Sequence, residues 1–336
     1  MRRRQFFAVL GGAAAARPFY SMAQVMQREK PFRIVTLPDI HPSLHHLFST
    51  AMREAGWIEG RDFVVVISGF QWGVMSGIDA TLQRLVAGRP DLILAGNDAH
   101  ALAARRATAS IPIVMSSGGY PVEAGLAESL ARPGKNVTGI CVYAGAEVWS
   151  KLLQLLREAK PDIRRVSVLW TYVPPLFPRY APGQIDPATL ELRNAERLLG
   201  LKLQLAEAAG PDQVPAALEE IELGAPDALM LTSGLGFDSR RTAMEFAVKK
   251  HLPTITDAIW SIDTVPYPLI CYGTRFADLI RGAVSQVDKI LRGADPGDLP
   301  LQQPVKVELK VNLKTAAAIG ITIPPTLLAR ADEVVE

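Results

Sequence analysis

Along most of the chain, short apolar runs alternate with longer stretches in which apolar positions recur at helical spacing. That alternation predicts mostly parallel sheets covered by helices on both faces. In the first half the strand candidates are Phe32 to Leu37, Asp62 to Ile67, Asp91 to Ala95, Ile111 to Met115 and Val137 to Val142. Between the first two, Leu44, Leu47, Phe48, Ala51 and Met52 share one face of a helix over Leu44 to Ala55. Arg165 to Trp170, Leu201 to Ala206, Ala228 to Leu231 and Pro253 to Thr256 repeat the pattern and predict a second α/β lobe. Leu269 to Tyr272 and Val305 to Leu313 are further strands separated by a helix over Phe276 to Arg292. They follow a second lobe that is already complete, so the chain is expected to cross back to the first.

One segment breaks the pattern. Tyr172 to Pro187 contains Pro174, Pro175, Pro178, Pro182 and Pro187, which excludes helix and central strand. A lid over a cleft and a surface excursion both fit such a loop.

The length of 336 residues, with 49% hydrophobic content, suffices for two ordinary cores. At the N-terminus, Arg2, Arg3 and Arg4 precede an uncharged run from Phe6 to Ala16, and Ser21-Met22-Ala23 offers a cleavage site, so residues 1–23 read as a signal peptide. Arg3-Arg4-Gln5-Phe6-Phe7 is similar to the twin-arginine pattern, with ordinary Sec export as the alternative. Removing those 23 residues leaves 32 basic against 34 acidic side chains, without the basic footprint that nucleic acid requires. Two cysteines, Cys141 and Cys271, are too few for a disulfide-dense scaffold or a cysteine-rich metal site.

Several motifs carry a family resemblance. Ser129-Leu130-Ala131-Arg132-Pro133-Gly134-Lys135-Asn136-Val137-Thr138-Gly139 resembles a signature of the ABC transporter substrate-binding family that includes tryptophan- and tyrosine-binding members. Val287 to Gly293, Asn312 to Ala316 and Ile321 to Glu336 resemble that family's closing segment. The resemblance implies a type I periplasmic binding fold: two three-layer αβα lobes with doubly wound sheets, joined by crossover hinge strands, with ligand held between them. It assigns residues 24–143 plus about 270–300 to the first lobe, and 144–269 plus about 301–336 to the second. It also implies a monomeric periplasmic receptor that closes on a small molecule, serves an ABC permease of the inner membrane, needs no cofactor and catalyses nothing. An aromatic or other amino acid, or a small organic acid, is the expected ligand class.

In such sheets ligands sit beyond the carboxyl ends of the strands, which directs attention to particular loops. Ser116-Ser117-Gly118-Gly119-Tyr120 follows a strand and is expected to lead into a helix, where backbone amides would receive a carboxylate. A tight turn is the bland alternative. After another strand lie Asn97, a potential donor to ligand, and Asp98, which either caps the next helix or meets an ammonium group. Asp39, Thr171, Ser233 and Asp257 also lie past strand ends, and Tyr143 and Trp170 could stack on an apolar ligand or fill core space. Gly119-Tyr120-Pro121 stands where the family often has Gly-Asp-Pro, so ligand identity does not transfer with the fold. Cys141 and Cys271 stand where relatives frequently carry serine in the two crossover strands, and two readings are open: a disulfide that would clamp the hinge, or two buried thiols.

Three rival functions remain. Asp39, His41, His45, His46 and His100 fall near cleft-facing strand ends and would suit a metal-binding periplasmic protein, although Pro42 suggests instead that a helix starts there. An enzyme would need a nucleophile beside a base, a supported carboxylate pair or a phosphate-cradling loop, and the sequence shows no such motif. A ligand sensor for a membrane receptor would share every feature of a transport receptor.

Overall fold

The computed structural model describes residues 30–39, 42–70, 77–142, 148–170, 187–208, 210–259 and 267–336. The first lobe alternates as the apolar pattern predicts: β1 (Phe32–Leu37), α1 (Pro42–Glu54), β2 (Phe63–Ile67), α2 (Ile78–Ala87), β3 (Leu92–Ala95), α3 (Asp98–Ala107), β4 (Ile113–Gly118) and β5 (Val137–Cys141). These strands form one parallel sheet in the order β2-β1-β3-β4-β5. Strand alternation divides the side chains between two cores. Ile34, Leu92, Leu94 and Val114 face one, with Phe48 of α1; Val35, Ile93, Ile113 and Met115 face the other, with Leu82 of α2.

The second lobe comprises α4 (Val148–Ala159), β6 (Arg165–Trp170), α5 (Pro187–Leu199), β7 (Lys202–Glu207), α6 (Val214–Leu223), β8 (Ala228–Leu231), α7 (Phe237–Lys249), β9 (Thr254–Ile259) and β10 (Ile270–Arg275). After the helix α8 (Phe276–Leu291) come β11 (Glu308–Asn312), α9 (Leu313–Ile319), α10 (Pro325–Leu328) and β12 (Glu333–Val335). The sheet order is β12-β11-β10-β9-β8-β6-β7, parallel except for the antiparallel pair β10–β11. The helix α4 shows why these segments dock: Trp149, Leu152, Leu153, Leu156 and Ala159 bury one face against the sheet, each leucine contributing roughly 1.5–3 kcal/mol.

The chain does cross back to the first lobe, but later than the sequence suggests. The strand β10 stays in the second sheet, paired with β9 and β11, and α8 is the element that moves over. Its Leu279, Ile280, Ala283 and Val287 join the core of Ile34 and Phe48. The return passes Gln302, whose backbone bonds to Gly139 and Cys141 along the edge of β5, before β11 begins.

Of the two readings for Cys141 and Cys271, the clamp is not formed and both are buried thiols. Because β10 belongs to the second sheet, the two residues sit in different cores, Cys141 with Met115 and Cys271 with Ile259 and Tyr267. The Cys141 thiol donates to the Gly119 carbonyl at 3.4 Å. Burial pushes the Cys271 thiol up to about 12, so it carries no thiolate character.

Candidate functional site

In each sheet the strand order reverses beside the first strand of its lobe, between β1 and β3 and between β6 and β8. At such switch points the loops leaving neighbouring strands diverge and leave a crevice. The carboxyl ends of the two sheets face each other across a cavity of about 380 Å³. Thr36, Asp39, Leu94, Gly96 and Ser116 form its first-lobe wall together with Leu44. Pro211 and the start of α7, Gly236 to Ser239, form the opposite wall, and Phe276 and Ile280 of α8 complete it. A smaller cavity of about 40 Å³ lies between Ser117 on one side and Ser233 and Asp257 on the other. Thus Asp39, Ser117, Ser233 and Asp257 are brought to cavities between the lobes. Neither cavity is lined by Asn97, Asp98, Gly118, Tyr120 or Trp170.

The loop expected to receive a carboxylate already holds one. Asp98, buried at the first position of α3, accepts from the Gly119 amide at 2.7 Å and the Tyr120 amide at 2.8 Å through Oδ2. Burial outweighs these bonds and raises the Asp98 carboxyl to about 6. Gly118 serves that approach, since a Cβ there would stand 2.9 Å from Asp98 Oδ1. Ser116 to Gly118 continue β4 and pair onward to Cys141, and a turn follows where a helix was expected. Capping falls to Asn97, whose Oδ1 accepts from the His100 amide at 3.1 Å, so Asn97 caps where Asp98 was the expected cap. Ser117 donates its hydroxyl to the Gly96 carbonyl at 2.9 Å.

Tyr120 reaches into the other lobe instead of the cavity. Its hydroxyl donates to Glu191 Oε1 on α5 and accepts from Trp149 Nε1 on α4, both at 3.2 Å. Trp170 packs beside Trp149, ring centroids 6.4 Å apart, and fills core space. In the second lobe Asp257 accepts from the Ser233 amide at 2.6 Å and its hydroxyl at 2.7 Å, the counterpart of the Asp98 arrangement. Arg240 of α7 is buried and donates to the Leu235 carbonyl at 2.8 Å, just ahead of Gly236. Tyr143, Thr171 and all of the proline-rich loop before Pro187 lie outside the described residues.

The metal reading finds its residues apart. Asp39 Oδ1 accepts from Ser68 N, Ser68 Oγ and Gly69 N at 2.6, 2.7 and 3.0 Å, His45 pairs with Glu59 at 2.9 Å, and His41 lies outside the described residues. His100 is buried in α3, and burial pushes its imidazole down to about 3, the neutral form. Among the described residues no three His, Cys, Asp or Glu side chains group as metal ligands.

Thr36, the start of α7, Phe276 and Ile280 line the larger cavity without having been singled out from the sequence. Thr36 carried a signal, a polar residue on the core-facing register of an apolar strand. The α8 residues carried none, because their place depends on the chain crossing.

Residues 71–335 match the family described as ABC transporter substrate binding protein. The chain belongs to that family. Its members are solute receptors, working outside the cytoplasm with a small-molecule ligand and an ABC permease as partners, and are not enzymes. Over 285 residues the chain is 25% identical to a tyrosine-binding protein of Clostridioides difficile, covering 84% of this chain and 78% of that one. A conserved domain protein of Vibrio cholerae shares the fold with a TM-score of 0.73 at 22% identity, over 91% of this chain and all of that one. The ABC domain of Streptococcus pneumonia in complex with L-Trp does so with a TM-score of 0.72 at 19% identity, over 91% and 100% of the two chains.

Proposed function

We propose that this receptor captures an amino acid or a related small organic acid, aromatic amino acids foremost, in the cavity between its lobes. The observation that carries the reading is the cavity of about 380 Å³ at the facing switch points, where Leu44, Leu94, Phe276 and Ile280 supply apolar wall and a few polar groups converge. A tyrosine-binding relative and a structural relative holding L-Trp support the same ligand class. Ligand bridging both walls favours the closed arrangement, which is the form a permease recognises.

In this reading the first lobe is residues 24–142 with α8, the second holds the remainder, and the crossings between them act as the hinge. The protein works as a monomer in the periplasm, delivered there by residues 1–23 acting as an export signal. No helix among the described residues is long and apolar enough to cross a membrane.

Thermal denaturation of the refolded, ligand-stripped protein against amino acids, organic acids, sugars and divalent metals tests the assignment. A ligand at a hundredfold excess over its Kd adds about 2.7 kcal/mol and raises Tm by several degrees. A saturable shift confined to amino or organic acids is expected. A shift confined to sugars or metals, or none from a protein folded by circular dichroism, would sink the assignment.

A further inference from the structure

The larger cavity brings together an unpartnered hydroxyl from one lobe and an uncapped helix start from the other. Thr36 is 1% exposed, and its Oγ1 has no hydrogen-bond partner among the described residues. Alternation along β1 puts its side chain on the face of Ile34, over the core that contains Leu44, Leu94, Phe276 and Ile280. Those last four line the cavity with Thr36, so the hydroxyl is set among apolar groups at the cavity wall. Buried hydroxyls in folded proteins are almost always paired, and the occupant of the cavity is the natural partner here.

Opposite stands the start of α7. This helix of 13 residues begins after Gly236, which has no side chain to accept from the first-turn amides. The amides of Asp238 and Ser239 have no carbonyl one turn back to bond, and the positive end of the helix dipole adds to their attraction for an anion. Asp238 and Ser239 both line the cavity. Among the described residues, the two carboxylates on the cavity wall are engaged elsewhere: Asp39 by Ser68 and Gly69, and Asp238 by Arg241 at 3.2 Å.

Resting on the receptor reading above, we infer that the α7 N-terminus and the Thr36 hydroxyl form a carboxylate subsite. The ligand's carboxylate, more than its α-ammonium group, is then the feature on which binding depends. Among the organic acids this singles out 2-hydroxy acids with a compact apolar body that reaches Leu44, Leu94, Phe276 and Ile280.

Calorimetry on the unmodified protein decides this with six probes: L-tyrosine and L-tryptophan, the amines tyramine and tryptamine, and the hydroxy acids 4-hydroxyphenyllactate and indole-3-lactate. The hydroxy acids are expected to bind within about tenfold of the amino acids, and the amines to lose on the order of a hundredfold, the worth of a charge-assisted contact. Amines binding as tightly as the amino acids would overturn the subsite and leave the receptor reading standing. Failure of all six would overturn the subsite together with the aromatic ligand class on which it rests, and the receptor reading falls with them only if the wider set of amino and organic acids also gives no thermal shift. Two variants localise the effect. Gly236→Asp supplies a built-in carboxylate at a backbone conformation, φ −63° and ψ 167°, open to any residue, and is expected to weaken L-tyrosine at least about tenfold with Tm held or raised. Thr36→Val, nearly isosteric, should weaken it severalfold. Unchanged affinity in Thr36→Val and in folded Gly236→Asp would equally sink the subsite.

Discussion

Two amide-rich turns reach the region between the lobes, one from each side, and the protein treats them differently. The turn after β4 keeps its own anion: Asp98 Oδ2 lies 2.7 and 2.8 Å from the amides of Gly119 and Tyr120. The start of α7 has Gly236 where a capping side chain would stand, and it faces the cavity. By local geometry alone either turn could hold a carboxylate. What separates them is whether another part of the chain has supplied one. The filled turn fixes structure, since it also positions Tyr120 between Trp149 and Glu191 of the other lobe, whereas the open turn is left for a ligand.

The strongest way to break the comparison is to empty the filled turn. Asp98→Ala strips the acceptor from two part-buried amides and leaves a small cavity, and about 2–3 kcal/mol of stability should be lost by urea denaturation. A loss below about 0.5 kcal/mol would mean that the internal anion does not hold the turn.

A smaller effect should appear with pH. The Asp98 carboxyl is raised to about 6 in the folded protein, against about 3.9 for an unfolded chain. As pH falls from 7 to 4 the native state takes up this proton before the unfolded state does, so this group's contribution to stability rises, and it is lost again as pH climbs through 6. His100, lowered to about 3 in the same helix, acts in the opposite sense below its ordinary range, and the nearby Glu123 carboxylate helps to raise Asp98. The informative quantity is therefore a difference. Stability of the natural protein minus that of Asp98→Asn should grow by on the order of 2 kcal/mol between pH 7 and pH 4. A difference that stays flat would place the Asp98 titration outside this window.

Fold class was legible because it rests on local pattern: Phe32–Leu37, Arg165–Trp170 and Ala228–Leu231 are strands over the very residues whose apolar runs predict them. Sheet membership was not, because the apolar run at Ile270 is equally suited to either sheet and only its pairing with β9 and β11 places it in the second. That one misplacement also opened the disulfide reading. The three-residue strand β12 has too little apolar character to announce itself. Strand ends were less legible: Ser117 and Asp257 lie within β4 and β9 and not past them, and what fills the turn after β4 could not be read at all. Asp98 and Gly119 are 21 positions apart, and their bond exists only because β3 and β4 are neighbours. Thr36 could have been read from β1, where it shares a face with Ile34 and is the one polar residue in the apolar run from Ile34 to Leu37.

Thr36 provides the smallest effect and the finest distinction between the filled and open turns. If its hydroxyl serves the fold, Thr36→Val must destabilise the ligand-free protein, as Asp98→Ala does. The hydroxyl forms no bond within the described residues, and Leu44, Leu94, Phe276 and Ile280 join it in lining the cavity, so a methyl group is at least as well accommodated there. Thr36→Val should accordingly leave stability unchanged or raise it by up to about 1 kcal/mol, measured on protein stripped of ligand. A loss of more than about 1 kcal/mol would assign Thr36 to the architecture and remove it from the ligand's side of the comparison. Stability retained or gained while affinity falls would mark the residue as one kept in a strand core for what it binds.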